Sequence, residues 1–184
     1  MGGAIQGRSE EEQDERYARV AVAFGPALER LSRAYEADPD LRQDLLQEIH
    51  LAVWRSFAGY EAQCSERTWV YRVAHNVATS HILKRRRRRS ETLLTLDELA
   101  RHSDPLQPDP EAEAGDRQAV ARLTALVQTL APGDRQIVLL YLEGLEAAAI
   151  GEVCGMTPGA VATKLHRLKA VLASRFNKGG PDER

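Results

Sequence analysis

The chain has 184 residues, 43% of them apolar and 28% charged, with 25 Lys+Arg against 27 Asp+Glu and a formal net charge of −2. This excludes wholesale disorder, and no apolar run approaches the roughly 20 residues that span a bilayer. Residues 1–15 are polar and acidic, without the apolar core of a secretory signal. Cys64 and Cys154 alone make neither a disulfide framework nor a zinc set, and both read as inert thiols. A cytoplasmic protein of one ordinary domain or two small ones is expected.

A near-neutral total argues weakly against a nucleic-acid binder, but the distribution of charge argues the other way. Residues 1–48 hold 11 acids and 6 bases, 49–89 hold 2 and 9, 90–119 hold 8 and 2, and 120–184 hold 6 and 8. Two basic blocks are separated by an acidic one, and such asymmetry speaks to partners more than the total does.

Helical periodicity recurs along the chain and strand signals are scarce. The first helix is expected from Arg16, with Tyr17, Val20 and Phe24 on one face and Pro26 near its boundary. Asp38-Pro39-Asp40 starts a second, in which Leu41, Leu45, Ile49 and Val53 repeat at four-residue intervals, widened by Leu46 and Ala52. Residues 59–66 read as a loop. The next helix sets Val70, Val73, Ala74, Val77 and His81 on one face and runs into six consecutive cations, Lys84 to Arg89. Residues 90–116, with three prolines and eight acids, read as a flexible acidic linker with a short helix at 95–101. Helical pattern resumes near Arg117 with Val120, Leu123, Val127 and Leu130 and stops at Pro132-Gly133. A helix over 133–143 follows, carrying Ile137, Val138, Leu140 and Tyr141.

The sharpest local pattern lies in 146–172. A short helix turns Ile150 and Val153 inward, and Gly155 can take the left-handed conformation of a tight turn. Thr157 suits an N-cap and Pro158 a first helical position. The next helix buries Val161, Leu165, Leu168 and Leu172. Its other face shows Gly159, Ala160, Ala162, Thr163, Lys164, Arg167 and Lys169. This is a helix-turn-helix whose second helix would approach base edges with its N-terminal residues and phosphates with Lys164, Arg167 and Lys169. The bland alternative is a glycine turn in an ordinary bundle. The cations and small residues gathered on one face favour DNA.

Two segments together carry a family resemblance. DLLQEIHLAVW (44–54), then RTWVYRVAHN (67–76) and the cationic run, resemble region two of the bacterial sigma-70 family, in particular its extracytoplasmic-function group. GL (144–145), IGEVCG (150–155), GAV (159–161) and KLHR (164–167), with Pro132, Arg135 and Gln136 ahead of them, resemble region four. The sequence departs from the family pattern at Glu66, at Ala147 to Ala149 and at Ala162.

The resemblance implies an all-α fold of two small helical domains, 14–89 and 117–176, joined by the linker. It implies that Asp44, Gln47, Glu48 and Arg55 dock on the clamp helices of the largest subunit of core RNA polymerase. Tyr60, Arg67, Trp69, Arg72, Asn76 (with Thr79 or Ser80), Lys84, Arg85 and Arg86 would meet the minus-ten element. Bases stack on aromatics and cations neutralise phosphate, which suits a melted strand. Trp69 could equally be core. Thr157, Gly159, Ala160, Thr163, Lys164, Arg167 and Lys169 would read the minus-thirty-five element. Further implied partners are the flap of the second-largest subunit, promoter DNA and an anti-sigma factor, with no membrane insertion. The linker would thread the polymerase cleft. A conventional helix-turn-helix regulator, binding duplex as a dimer without polymerase, is the alternative. An enzyme is not expected. There is no phosphate-binding glycine loop and no nucleophile–base pair, and His50, His75, His81, His102 and His166 are scattered, so no metal or cofactor is implied.

Overall fold

The computed structural model describes the backbone of residues 3–89 and 116–178, with side chains described over 10–85 and 117–176. The expected helix at 95–101 and all of the linker but its last residue, Asp116, lie outside the described residues. Within them are seven α-helices, one 3-10 turn and no strand. Two compact units divide near Arg85 and Arg86.

In unit 1, α1 (Gly3–Tyr35), α2 (Pro39–Ser56) and α3 (Glu66–Arg89) pack together, and the 3-10 turn Phe57–Gly59 follows α2. α1 starts well before Arg16. Its early turns are tied to α2 by polar contacts that leave no apolar periodicity in the sequence. Gln13 Nε2 donates to the Trp54 carbonyl at 2.7 Å, Trp54 Nε1 donates to Asp14 Oδ1 at 2.7 Å, and the Tyr17 hydroxyl lies 3.0 Å from His50 Nδ1. Pro26 sits inside α1, not at its boundary. Its missing N–H frees the Val22 carbonyl, and Val22 is 83% exposed, so water can satisfy that group.

α2 starts as its sequence suggests. The Asp38 carboxylate accepts from the N–H groups of Asp40 (3.0 Å) and Leu41 (3.2 Å), and Pro39 takes the first turn. Leu45, Ile49 and Val53 are fully buried. Ser65 caps α3, its Oγ accepting from the Thr68 N–H at 3.0 Å.

The buried face of α3 is Val70, Tyr71, Ala74, His75, Ala78 and Ile82, while Val73 and Val77 are only half-buried. Relative to the expected face it is rotated by roughly one residue step, about 100°. The cause is His75, which lies 1% exposed beneath α1 with Nδ1 3.0 Å from the Tyr35 hydroxyl. Burial holds its pKa down at about 3, so the ring is neutral and the tyrosine hydroxyl can donate to it.

In unit 2, α4 (Asp116–Thr129), α5 (Pro132–Leu142), α6 (Ala147–Cys154) and α7 (Pro158–Lys178) form a second small bundle. Its core includes Leu126, Leu130, Ile137, Leu140, Ile150, Val161 and Leu168. Val120, expected inside, is 63% exposed, because α4 buries its side toward Leu126 and Val127. Arg135 is buried, and its guanidinium donates to the carbonyls of Gln128 and Leu130, closing the end of α4. Cys154 is partly buried, and burial pushes its thiol up to about 11, which keeps it unreactive at neutral pH.

A buried histidine with a depressed pKa contributes stability that is complete above the unfolded value of about 6.5 and lost as pH falls toward the folded value. Unfolding of the full chain should therefore show a unit-1 component that weakens between about 6.5 and about 3, with a slope approaching about 1.4 kcal/mol per pH unit. His75→Leu should lower stability at pH 7 and abolish that component. Unchanged pH dependence in denaturant titrations of the variant would contradict this.

Candidate nucleic-acid interfaces

On α2, Asp44, Gln47, Glu48 and Arg55 are all exposed and share the face opposite Leu45, Ile49 and Val53. Leu51 lies in the middle of that stripe and is 46% exposed. A large apolar side chain ringed by polar ones is the usual anatomy of a protein contact surface, and it goes unnoticed in the sequence among the core leucines.

Beside the loop of residues 60–65, Phe57, Tyr60 and Trp69 form an aromatic cluster. The Tyr60 ring is 5.9 Å from Phe57 and 5.3 Å from Trp69. Arg16 of α1 sets its guanidinium 5.3 Å over Tyr60 and 5.9 Å over Phe57, and its Nε is 3.6 Å from a Glu66 carboxylate oxygen. Trp69 is half-buried, neither plain core nor fully presented, and its Nε1 donates to Ser56 Oγ at 2.9 Å. The Tyr60 hydroxyl donates to the Cys64 carbonyl at 2.6 Å and draws the loop closed. Within it Ala62 adopts a left-handed φ of 59°, a conformation that costs a residue with a Cβ about 1 kcal/mol. The loop is thus tied at both ends and strained at its tip.

Along α3, Asn76, Ser80 and Lys84 are exposed, and Arg72 and Thr79 half-buried. This stripe lies opposite the observed buried face. Arg67 is exposed with its guanidinium 5.9 Å from the Tyr71 ring centre. Arg85 does not join the stripe. Its guanidinium turns back to the buried Glu36 carboxylate, which also meets His81 Nε2 at 3.0 Å. His81 is thereby a boundary residue, as its place in the sequence suggests. The Arg86 side chain lies outside the described residues.

Glu36, Arg16 and Asp134 are polar side chains whose roles the sequence does not signal. An acidic residue in a turn between helices reads as solvated, and nothing in its neighbours marks Glu36 as the partner of residues 45 and 49 positions away.

In unit 2 the helix-turn-helix is α6, the turn at Gly155 and α7. Gly155 has φ 70°, and the Met156 N–H donates to the Gly151 carbonyl at 3.0 Å. A Cβ on Gly151 would stand 2.5 Å from the Met156 carbonyl oxygen, so only glycine lets the turn fold this closely on α6. Thr157 Oγ1 accepts from the Ala160 N–H at 3.3 Å and starts α7. Gly159, Ala160, Ala162, Thr163, Arg167 and Lys169 are exposed. Thr163 Oγ1 donates to the Gly159 carbonyl at 3.0 Å. Two of the cations already have partners on α5. Lys164 Nζ is 2.7 Å from Asp134 Oδ1, and Lys169 Nζ lies 3.8 Å from the Tyr141 ring centre.

Among the described residues no group of three or more His, Cys, Asp or Glu could hold a metal ion, and no helix is long and apolar enough to cross a membrane.

The geometry of both units agrees with comparisons to known proteins. The family profile described as "Sigma-70 region 2" matches residues 21–88, and that described as "Sigma-70, region 4" matches residues 121–172. The ECF RNA polymerase sigma factor SigG of Mycobacterium tuberculosis is 28% identical over 88% of this chain and 50% of its own length. The RNA polymerase sigma factor CnrH of Cupriavidus metallidurans is 25% identical over 86% of this chain and 85% of its own. The chain thus spans half the length of the first relative and most of the second. The solved structure of CnrH with the cytosolic domain of CnrY aligns over 95% of this chain and 96% of that one, with a TM-score of 0.66 at 15% identity. The sigma factor RpoE with the anti-sigma factor NepR from Bartonella quintana aligns over 92% and 99%, with a TM-score of 0.65 at 17% identity.

Replacing Gly151 with alanine should force the turn open and lower the melting temperature of unit 2, at a cost of about 1–3 kcal/mol, while the His75-dependent component of unit 1 stays in place. Two-phase thermal unfolding of the full chain reads both. An unchanged unit-2 transition would show that the turn is looser than the 2.5 Å approach implies.

Proposed function

The chain belongs to the sigma-70 family, in its extracytoplasmic-function group, and from that premise we propose that it is a promoter-specificity subunit of RNA polymerase. It has no chemistry of its own. It binds core enzyme, engages two promoter elements and stabilises the melted strand so that transcription can start. What carries the reading is that the two family regions, in their expected order, fall on two units whose exposed faces bear the residues each task needs.

Unit 1, with 14–89 as its working span, takes the polymerase and minus-ten tasks. The α2 stripe of Asp44, Gln47, Glu48 and Arg55 docks on the clamp helices of the largest subunit, with Leu51 at its centre. Tyr60, Arg67, Trp69, Arg72, Asn76 and Lys84 face the opened strand, and Arg86 follows them. The tethered indole of Trp69 and the held loop are suited to stacking, because a ring already fixed loses little entropy on meeting a base. Unit 2, over 117–176, takes the minus-thirty-five element. Thr157, Gly159, Ala160 and Thr163 at the start of α7 approach base edges and Arg167 lies further along the same helix toward the backbone, while Lys164 and Lys169, held by Asp134 and Tyr141, brace the helix beside them. The acidic segment 90–116 passes through the polymerase between them, and the flap of the second-largest subunit is the partner near unit 2. Regulation by an anti-sigma factor is part of the proposal. Two relatives of the same fold are seen with partner proteins, CnrH with the cytosolic domain of CnrY and RpoE with the anti-sigma factor NepR. The place of action is the cytoplasm, where core polymerase and promoter meet. A dimeric regulator working without polymerase leaves the α2 and α3 stripes without a task.

Reconstitution with core polymerase should give a defined promoter-dependent transcript. Charge reversal by Glu48→Lys should weaken core binding about tenfold or more, equivalent to about 1.4 kcal/mol, with the fold intact by circular dichroism. Duplex protection by a dimer without core enzyme, and no transcript with it, would favour the regulator.

A further inference from the structure

We infer that Glu36 is a positioning residue for the basic end of α3, and that Arg85 is its anchor inside unit 1 and not a contact to nucleic acid. The inference rests on the proposed reading of α3 as a DNA-facing helix and refines it.

Glu36 is the first residue beyond α1 and is only 1% exposed. Its carboxylate collects three donors from two places. The Asp38 N–H, at 2.9 Å, belongs to the turn that starts α2. His81 Nε2, at 3.0 Å, and the Arg85 guanidinium belong to the last turns of α3. Burial alone would push the carboxyl up. The hydrogen bonds from Arg85, His81 and the Asp38 N–H outweigh it and hold the group below the ordinary carboxylate range. The carboxylate is therefore charged at neutral pH and needs a cation beside it.

That need decides between the two fates of Arg85. A phosphate could recruit the guanidinium only by leaving a buried carboxylate without its cation, and removing one partner of a buried pair is far costlier than a solvated phosphate contact is favourable. Lys84, next to it, is exposed and carries no such obligation. The run of six cations therefore begins with a division of labour. Arg85 fixes the helix against the α1–α2 turn, and that fixed point sets the side of α3 on which Lys84 is presented. His81 and Arg85 are four apart on α3, so both reach the same carboxylate from one side of the helix. The restraint thus opposes rotation of α3 about its axis as well as fraying of its end.

The salt dependence of promoter binding by the reconstituted holoenzyme separates the two fates, because each phosphate contact contributes about 0.7–0.9 to the slope of log K against log salt. Promoter-dependent transcription by the unmodified protein first secures the parent reading, so that the variants bear on Arg85 and Glu36 alone. Lys84→Gln should flatten the slope by about one contact. Arg85→Gln should leave the slope unchanged while lowering the melting temperature of unit 1. Glu36→Gln should release Arg85 and steepen the slope by about one contact, and the double variant Glu36→Gln/Arg85→Gln should return to the unmodified slope. A slope that flattens on Arg85→Gln as it does on Lys84→Gln would overturn the assignment of Arg85. A slope that Glu36→Gln leaves unchanged would overturn the restraint. If Glu36→Gln fails to fold, the Arg85→Gln and Lys84→Gln pair still decides.

Discussion

Two neighbouring side chains at the end of α1 hold α3 in place, and the face that α3 exposes depends on that grip. The Tyr35 hydroxyl meets His75 and the Glu36 carboxylate meets His81 and Arg85. These contacts lie along one side of α3 and fix its rotation. Because an α-helix turns about 100° per residue, a slip of one position would bury Asn76 in place of His75 and bring Arg72 toward the core. The polar contacts thus do what apolar burial alone does poorly. Apolar packing tolerates rearrangement of its members, whereas a hydrogen bond to a buried group is lost outright when the register changes.

That division explains how much could be read from residues alone. Helix order, the α2 core of Leu45, Ile49 and Val53, the start of α2 at Asp38-Pro39, and the whole helix-turn-helix down to Val161, Leu165, Leu168 and Leu172 follow from periodicity and capping chemistry, which are local. The rotation of α3 does not, because Val73 and Val77 look more apolar than His75 until the Tyr35 hydroxyl is placed beside the imidazole. Pro26 is likewise legible as a break and harmless in fact, since whether a freed carbonyl is costly depends on which side of the helix meets water. The extension of α1 to Gly3 rests on Gln13, Asp14 and Tyr17 finding partners on α2. Of the candidate site, the exposed stripes of α2 and α7 are legible, because each is the complement of a buried face that periodicity gives, whereas the α3 stripe follows its buried face only once His75 is placed. The inward turn of Arg85 and the α5 partners of Lys164 and Lys169 are not legible, because a cation's partner is a matter of tertiary distance.

Unit 2 solves the same problem by other means. Its helix α7 is placed by backbone, through the close approach of Gly151 to Met156 and the left-handed Gly155. α4 is closed by the buried guanidinium of Arg135. Lys164 and Lys169 then brace α7 against Asp134 and Tyr141 on α5. On the proposed reading, in which α7 meets base edges in an intact groove, a rigid turn is an advantage, because small errors in direction lose whole contacts. Unit 1 instead combines a held aromatic cluster with a strained loop tip at Ala62.

The near-neutral charge of −2 is a poor guide because it counts side chains without asking what they face. Glu36 and Arg85 cancel inside unit 1, and Asp134 and Lys164 cancel within unit 2. Neither pair projects the field of two free charges, yet each removes a cation from a block that the sequence marks as basic. What remains toward solvent on the described part of α3 is set by the polar side chains opposite the buried face, with Lys84 among them. An overall balance near zero and a locally basic helix are therefore compatible without any special arrangement of the acidic linker. Electrostatic attraction falls off within about 8–10 Å at physiological salt, so the charges within that distance of α3, and not the sum over 184 residues, set the field that a partner of that helix would meet.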